Sequence, residues 1–316
     1  MKTIKPLLTF IILLVINSNI NAQKDSVLFH QSIDFYNNDK PKKALSLIND
    51  AIKINDKNAN YQILKGKILY EINKDIGEFF SYLTKGVETE PTSPKPLITR
   101  AYYYEQIAKV QDAILDYNDA LKLAKEDSVF IQIYINRGGL HTKVQRPDLG
   151  YEDLMKAYQL DSTNIGMLNN LAICLDDLGK RKESFKILLK IVEINPDFPP
   201  GWVNLGYQAS LRENYDDALM YLNKADSLSP NEPFALNNRG YAKYKLKDYK
   251  GALKDINRSL EIDPSNSYAY RNKALIYIDK KEIDTACENL HLSQKKGFSL
   301  YYGEEVNELI KKHCIK

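Results

Sequence analysis

The sequence predicts an all-α fold: an α-solenoid of about eight helix–turn–helix units of 34 residues, closed by a C-terminal capping helix. Three observations lead there. The 316-residue chain aligns with itself in segments starting at Asp25, Ala59, Pro94, Ile131, Ile165, Pro199, Pro233 and Ser267, which are 34, 35, 37, 34, 34, 34 and 34 residues apart. A fixed period in this range means stacked supersecondary units rather than one globular core. The eighth residue of every segment is small: Ser32, Gly66, Ala101, Gly138, Ala172, Gly206, Gly240 and Ala274. Position 20 is small in seven segments, as Ala44, Ala113, Gly150, Ser184, Ala218, Ala252 and Ala286. Small side chains at these two positions let two helix axes approach closely, with larger residues at positions 24 and 27 or on the next unit filling the remaining space.

Residues 1–22 read as a secretory signal peptide. Lys2 and Lys5 make a positive start, Leu7 to Ile16 is an apolar run interrupted only by Thr9, and Ala22 ends the segment. Charge, length and small residue fit a cleaved signal, and the run falls short of the roughly 20 apolar residues of a membrane span. The mature chain is therefore expected to begin at Gln23, to be exported to the periplasm or cell envelope, and to carry no integral membrane segment.

The array is expected over residues 23–298. The seventh segment shows its unit most plainly. Pro233 to Leu246 is apolar or small at helical spacing, Asp248 is placed to cap a second helix, and Ala252, Ile256 and Leu260 mark that helix's buried stripe. Asp263-Pro264 ends it, because proline cannot continue a helix. The second segment departs from the pattern with one extra residue and Phe79 where a small residue is expected. The fourth has Pro147 near the start of its second helix, and three extra residues, around Glu126 to Ser128, precede it. Residues 299–316 are not another unit. Glu304 to Cys314 has Val306, Leu309 and Ile310 on one face and Lys311 and Lys312 near its end, which reads as a short amphipathic helix with charges suited to its dipole. Such a helix would cover the apolar face of the last repeat.

In the sixth segment Trp202, Leu205, Gly206, Tyr215, Ala218, Ala225 and Pro230 stand at the signature positions of the tetratricopeptide repeat. The chain resembles that family from about Asp25 to Gly297. The resemblance implies a scaffold that binds a protein or peptide along a concave groove.

Position 6 of segments four to eight is asparagine throughout: Asn136, Asn170, Asn204, Asn238 and Asn272. A primary amide offers a donor and an acceptor, matching those of a peptide unit. The column resembles the asparagine ladder in the repeat domain of the O-GlcNAc transferases, which grips a peptide backbone. Equally, it fits a consensus residue that stabilises packing. Tyr207 and Tyr241 at position 9 and Arg271 at position 5 complete a candidate recognition surface, since aromatic residues and Arg supply contact area at modest entropy cost. The same tyrosines also suit packing between helices, and Arg271 also suits a paired surface charge.

The three cysteines are Cys174, Cys287 and Cys314. Cys174, among Leu171, Ile173 and Leu175, reads as a buried free thiol. An Ala-Cys pair, here Ala286-Cys287, with a Cys closing a final helix resembles the ending of exported bacterial repeat proteins. A Cys287–Cys314 bond would staple the cap to the array, closing a loop worth roughly 3–4 kcal/mol on the chain-entropy model.

Other function classes find little support. Without Lys2 and Lys5 the 44 basic residues fall to 42 against 41 acidic, a net charge of +1, and no basic stripe suits nucleic acid. His30, His141, His291 and His313 have neither metal spacing nor a nucleophile motif around them. No catalytic constellation, metal site or cofactor motif is expected. The reading is an exported scaffold or adaptor. A structural subunit of an envelope assembly, or a carbohydrate or small-ligand binder using the tyrosine-lined groove, stands as the alternative.

Overall fold

The computed structural model describes residues 23–314, so the expected signal peptide lies outside the described residues. Eighteen helices and no strand occur among the described residues. Two compact units divide between residues 140 and 141. The first holds α1 (23–37), α2 (Pro41–Ile54), α3 (Ala59–Asn73), α4 (Ile76–Thr89), α5 (Pro94–Gln106), α6 (Val110–Leu123) and most of α7 (Asp127–Lys143). The second holds α8 (Pro147–Leu160), α9 (Ile165–Asp177), α10 (Arg181–Ile194), α11 (Pro199–Leu211), α12 (Tyr215–Leu228), α13 (Pro233–Lys245) and α14 (Tyr249–Ile262). It continues through α15 (Ser267–Asp279) and α16 (Ile283–Lys295) to α17 (Phe298–Tyr302) and α18 (Glu305–His313). The division falls inside the fourth repeat, and the 34-residue register continues through it.

Each repeat is a first helix, a tight turn and a second helix, and in the second, third and fifth to eighth repeats the second helix lies against the first. The crossing is as close as the small residues require. A Cβ on Gly206 would stand 2.4 Å from Leu222 Cγ, and one on Gly240 would stand 2.6 Å from Ile256 Cγ1, both at position 24. Where serine replaces glycine or alanine, its hydroxyl is absorbed by the facing helix. Ser32 donates to the Ala44 carbonyl and Ser184 to the Ala172 carbonyl, each at 2.8 Å. Trp202, Tyr215, Ala218 and Ala225 gather with Leu222 and Ala235 in one apolar cluster, joining the sixth repeat to the start of the seventh.

The turns share one conformation. Asp39, Ala108, Gln145, Gly179, Glu213, Lys247 and Lys281, fifteenth in their segments, and Lys74, one place later in the longer second segment, all have φ between 54° and 72°. In seven repeats the following N–H bonds back to the carbonyl five residues earlier, as Lys180 does to Leu175 and Asp248 to Lys243. This is a Schellman closure, which satisfies carbonyls that the helix end leaves open. Only Gly179 carries the residue suited to the left-handed region; each other side chain tolerates a strain of about 1 kcal/mol there. As expected, Asp248 caps α14, its carboxylate accepting from the Gly251 N–H at 2.9 Å.

The departures are absorbed locally. The extra residues of the fourth segment lengthen its first helix, so that α7 has 17 residues against 13 in α9, α11, α13 and α15. Pro147 occupies the first turn of α8, where its missing N–H costs nothing. Phe79 is buried beside Gly66 with Leu83 and Ile63.

Buried ion pairs tie helices within two repeats at the same places, positions 7 and 23. Arg100 meets Asp116 through two hydrogen bonds at 2.8 and 2.7 Å, and Arg239 meets Asp255 at 2.7 and 3.0 Å. Lys243 adds a bond to Asp255 at 2.7 Å, and Arg239 reaches back to Asp226 on α12 at 2.7 Å. Burial would raise the Asp255 pKa, but the Arg239 and Lys243 hydrogen bonds outweigh it and hold the carboxyl below its ordinary value.

The C-terminal helix lies where the sequence put it. Val306 and Ile310 are buried against Ala274 and Leu290, with Phe298 of the unforeseen α17 filling the space between. Cys287 on α16 and Cys314 after α18 have Cα atoms 5.6 Å apart, a separation that a disulfide spans. Cys174 is buried, and its thiol donates to the Pro147 carbonyl at 3.1 Å. Burial raises its pKa.

Two measurements check this packing. Gly206→Ala is expected to destabilise the protein by about 1–3 kcal/mol through overpacking against Leu222, read as a lower melting temperature; an unchanged melt would refute the crossing. Asp255→Asn is expected to cost about 3 kcal/mol at neutral pH, because it leaves Arg239 and Lys243 without their shared carboxylate. The folded-state pKa of Asp255 is depressed, so its contribution is complete above the unfolded value and disappears as pH falls through the folded one. Denaturant melts should therefore show the gap between wild type and variant closing below about pH 4.

Candidate recognition face

In the second unit α11 touches α13 and α13 touches α15 directly, besides the contacts each makes with second helices. The first helices thus lie side by side, and their positions 5, 6, 9, 12 and 13 form one face. Local sequence sets each helix on this face. Asn164, Glu232 and Asn266 cap α9, α13 and α15, accepting from N–H groups of their first turns, and Pro199 and Pro233 begin α11 and α13.

The asparagine column divides into two kinds. Asn204 Nδ2 donates to Asn169 Oδ1 at 3.0 Å, and Asn272 Nδ2 donates to Asn237 Oδ1 at 3.0 Å. Position 6 of one repeat thereby bonds position 5 of the repeat before it. Asn237 and Asn272 are both buried, Asn272 to 1% exposure. In the first unit burial and Glu105 raise the pKa of the buried Tyr117 hydroxyl, and the neighbouring Asn136 amide lowers it. Asn170 and Asn238 are half-buried and make no side-chain hydrogen bond among the described residues. Asn238 has no partner because position 5 of the preceding repeat is Val203, which offers no acceptor. The pairing rule was present in the sequence, since Asn169 and Asn237 stand 35 residues before Asn204 and Asn272.

Arg271 departs from the expected surface role. It is 9% exposed and donates to both carboxylate oxygens of Glu305 on α18, the Nε bond being 3.1 Å. Its third nitrogen donates to Asn272 Oδ1 at 2.8 Å, and the guanidinium lies 5.5 Å from the Tyr241 ring centroid and 5.6 Å from that of Tyr268. Burial lowers its pKa, but the Glu305 hydrogen bond and charge more than offset this and the net shift is upward. Arg271 thus joins the array to its cap.

Three recesses open on this face. One of about 410 Å³ has Asn169, Val203 and Asn204 on its walls and the exposed Ile173 and Phe234 at its edges. One of about 150 Å³ lies between α9, α10 and α11 beside Tyr207. A third, of about 120 Å³, is bordered by Tyr207, Asn238, Tyr241 and Tyr268. Burial pushes the Tyr207 hydroxyl up to about 12, so it is a neutral donor at physiological pH. The first unit has its own aromatic recess of about 400 Å³, walled by Tyr36, Tyr70, Phe80 and Tyr102. The described residues contain no group of three or more His, Cys, Asp or Glu arranged to hold a metal ion, and no helix long and apolar enough to cross a membrane.

Replacing Asn272 by Ala leaves the Asn237 amide and an Arg271 N–H unpaired, and is expected to cost about 1–3 kcal/mol. Replacing the unpartnered Asn238 by Ala should move stability by less than about 0.5 kcal/mol. Equal melting shifts for the two variants would contradict this division of the column.

Comparison with known proteins bears on the repeat itself. Residues 165–198 and 233–266 each match a model of the tetratricopeptide repeat, with the boundaries of the fifth and seventh segments. The chain is similar to the DnaJ homolog subfamily C member 7 homolog of Schizosaccharomyces pombe, at 21% identity over 166 residues, 48% of this chain and 35% of that protein. It therefore spans about a third of the length of that curated relative. Among solved structures, a tetratricopeptide repeat protein from Parabacteroides merdae superposes with a TM-score of 0.57 at 17% identity, over 93% of this chain and 100% of that one. The APC/C hetero-tetramer Cut9–Hcn1 superposes with a TM-score of 0.62 at 20% identity, over 78% and 48%. At these identities the structural likenesses speak for the fold alone. With the two matched units and the 34-residue helix pairs around them, this chain contains tetratricopeptide repeats.

Proposed function

We propose that this protein is an exported scaffold that binds a protein or an extended peptide along the first-helix face of its second unit. The observation that carries the reading is the set of groups on that face with no partner among the described residues. The amides of Asn170 and Asn238 are unpaired, and Ile173 and Phe234 are exposed beside a recess of about 410 Å³. Amides supply backbone-like donors and acceptors, and the apolar walls supply contact area, a combination suited to a main chain with alternating side chains. Tetratricopeptide repeats commonly bind proteins, which agrees with this use of the face.

Export is part of the proposal, with a signal removed after Ala22 and a Cys287–Cys314 disulfide formed in an oxidising compartment. The Cα separation of 5.6 Å supports that bond, which would hold the cap over the last repeat.

The test uses the mature protein and its Asn170→Ala/Asn238→Ala variant as baits in the native envelope. The partner captured by wild type is expected to be lost or weakened at least about tenfold in the variant, with helicity and melting unchanged. Undiminished capture by the folded variant would remove the amides from the binding surface.

A further inference from the structure

The recess beside Tyr207 differs from its neighbours in chemistry. Its walls are apolar where Ala172, Ile173 and Leu188 line it, and two of its polar side chains carry a buried acceptor with no hydrogen bond. Gln208 is 2% exposed, and no hydrogen-bond donor reaches its Oε1. Asp176 Oδ1 is likewise buried without a hydrogen bond. Both residues line the cavity. Buried acceptors of this kind almost always have a donor, because desolvation without one is costly. Asn204 also lines the cavity, and its amide nitrogen already donates to Asn169.

The field points the same way. Asp176 and Asp177 end α9, at the negative pole of the helix dipole. Burial, and then the neighbouring Asp176 charge, raise the Asp177 pKa. Arg181 is the cation that faces Asp176. Its Nε stands 3.7 Å from Asp176 Oδ1, beyond hydrogen-bond reach, on a side chain 59% exposed. Arg181 therefore sits at the rim and leaves the inner acceptors unfilled.

We propose that this cavity is a binding site for a primary ammonium group, in the form of a lysine side chain presented by the bound partner. An ammonium carries three donors and no acceptor, which complements acceptors on separate side chains. A guanidinium is a planar fork suited to two oxygens of one carboxylate, and of the Asp176 carboxylate only Oδ1 is a buried atom without a hydrogen bond. The apolar walls suit the four-carbon stem. The inference rests on the reading of this face as a peptide-binding surface, and it specifies one side chain of the peptide.

The test titrates the full mature protein with N-acetyl-lysine methylamide, its norleucine counterpart and its arginine counterpart, followed by the NMR signals of the Gln208 side-chain amide. The lysine derivative is expected to bind saturably, at least about tenfold more tightly than the uncharged norleucine derivative, and to shift the Gln208 signals. Asp176→Asn should weaken it at least about tenfold with an unchanged melt. Arg181→Gln, a change on an exposed side chain, should strengthen it severalfold by removing the competing charge. Equal binding of lysine and norleucine derivatives, preference for the arginine derivative, absence of binding, or indifference to Arg181→Gln would each overturn the proposal. Because these probes are single residues, their failure leaves the scaffold reading standing wherever envelope capture still depends on Asn170 and Asn238. A failed capture, conversely, leaves the ammonium site standing on its own titration.

Discussion

The two helices of a repeat cross at a distance that admits only glycine, alanine or serine at the eighth position, and the rest of the structure follows from that distance. At Gly206 and Gly240 even a methyl group would meet the helix opposite. Once the helices lie that close, the short turn must reverse the chain within a few residues. It does so by placing one residue in the left-handed region and closing the helix end with a Schellman bond. The pair then behaves as one rigid element, and what it offers to its neighbours is the outer surface of its first and second helices. Stacking such elements sets the first helices of the second unit beside one another, which creates a face with recesses between its side chains.

Polar groups are distributed over this framework by a simple local condition. An amide at position 6 finds an acceptor when the preceding repeat has an asparagine at position 5, and it has none when that residue is valine. Asn204 and Asn272 meet the first condition, and Asn238 meets the second. The same logic holds for charge. Arg239, Asp255, Lys243 and Asp226 form a satisfied network that joins the sixth and seventh repeats, and Arg271 is matched to Glu305 and Asn272 at the cap. Groups satisfied in this way hold the array together. The few buried atoms left without a hydrogen bond include Asp176 Oδ1 and Gln208 Oε1, the two acceptors on which the proposed ammonium site rests.

A repeat also limits how functional residues are recognised. Duplication places the same residue at the same position in every unit, so a column of asparagines looks uniform while its members do different work. The difference lies in the residue 35 positions earlier, on another helix, and is felt only when the repeats stack.

The sequence by itself determined the helical pairs, their boundaries, the close crossing and the C-terminal cap, because each depends on residues local to one 34-residue unit. Small residues at positions 8 and 20, proline and aspartate at helix ends, and the apolar stripe of the last helix all act over a few turns of chain. It did not reveal the left-handed turn residue, since only Gly179 among eight carries a visible sign, or the buried pairs of positions 7 and 23, whose Arg and Asp resemble ordinary surface charge until the helices close on them. Only the tertiary structure decided which amides of the column stay unpaired, that Arg271 serves the cap, and that the acceptors beside Tyr207 face a common cavity. These outcomes depend on distances between side chains of different helices, and no spacing along a single helix encodes them.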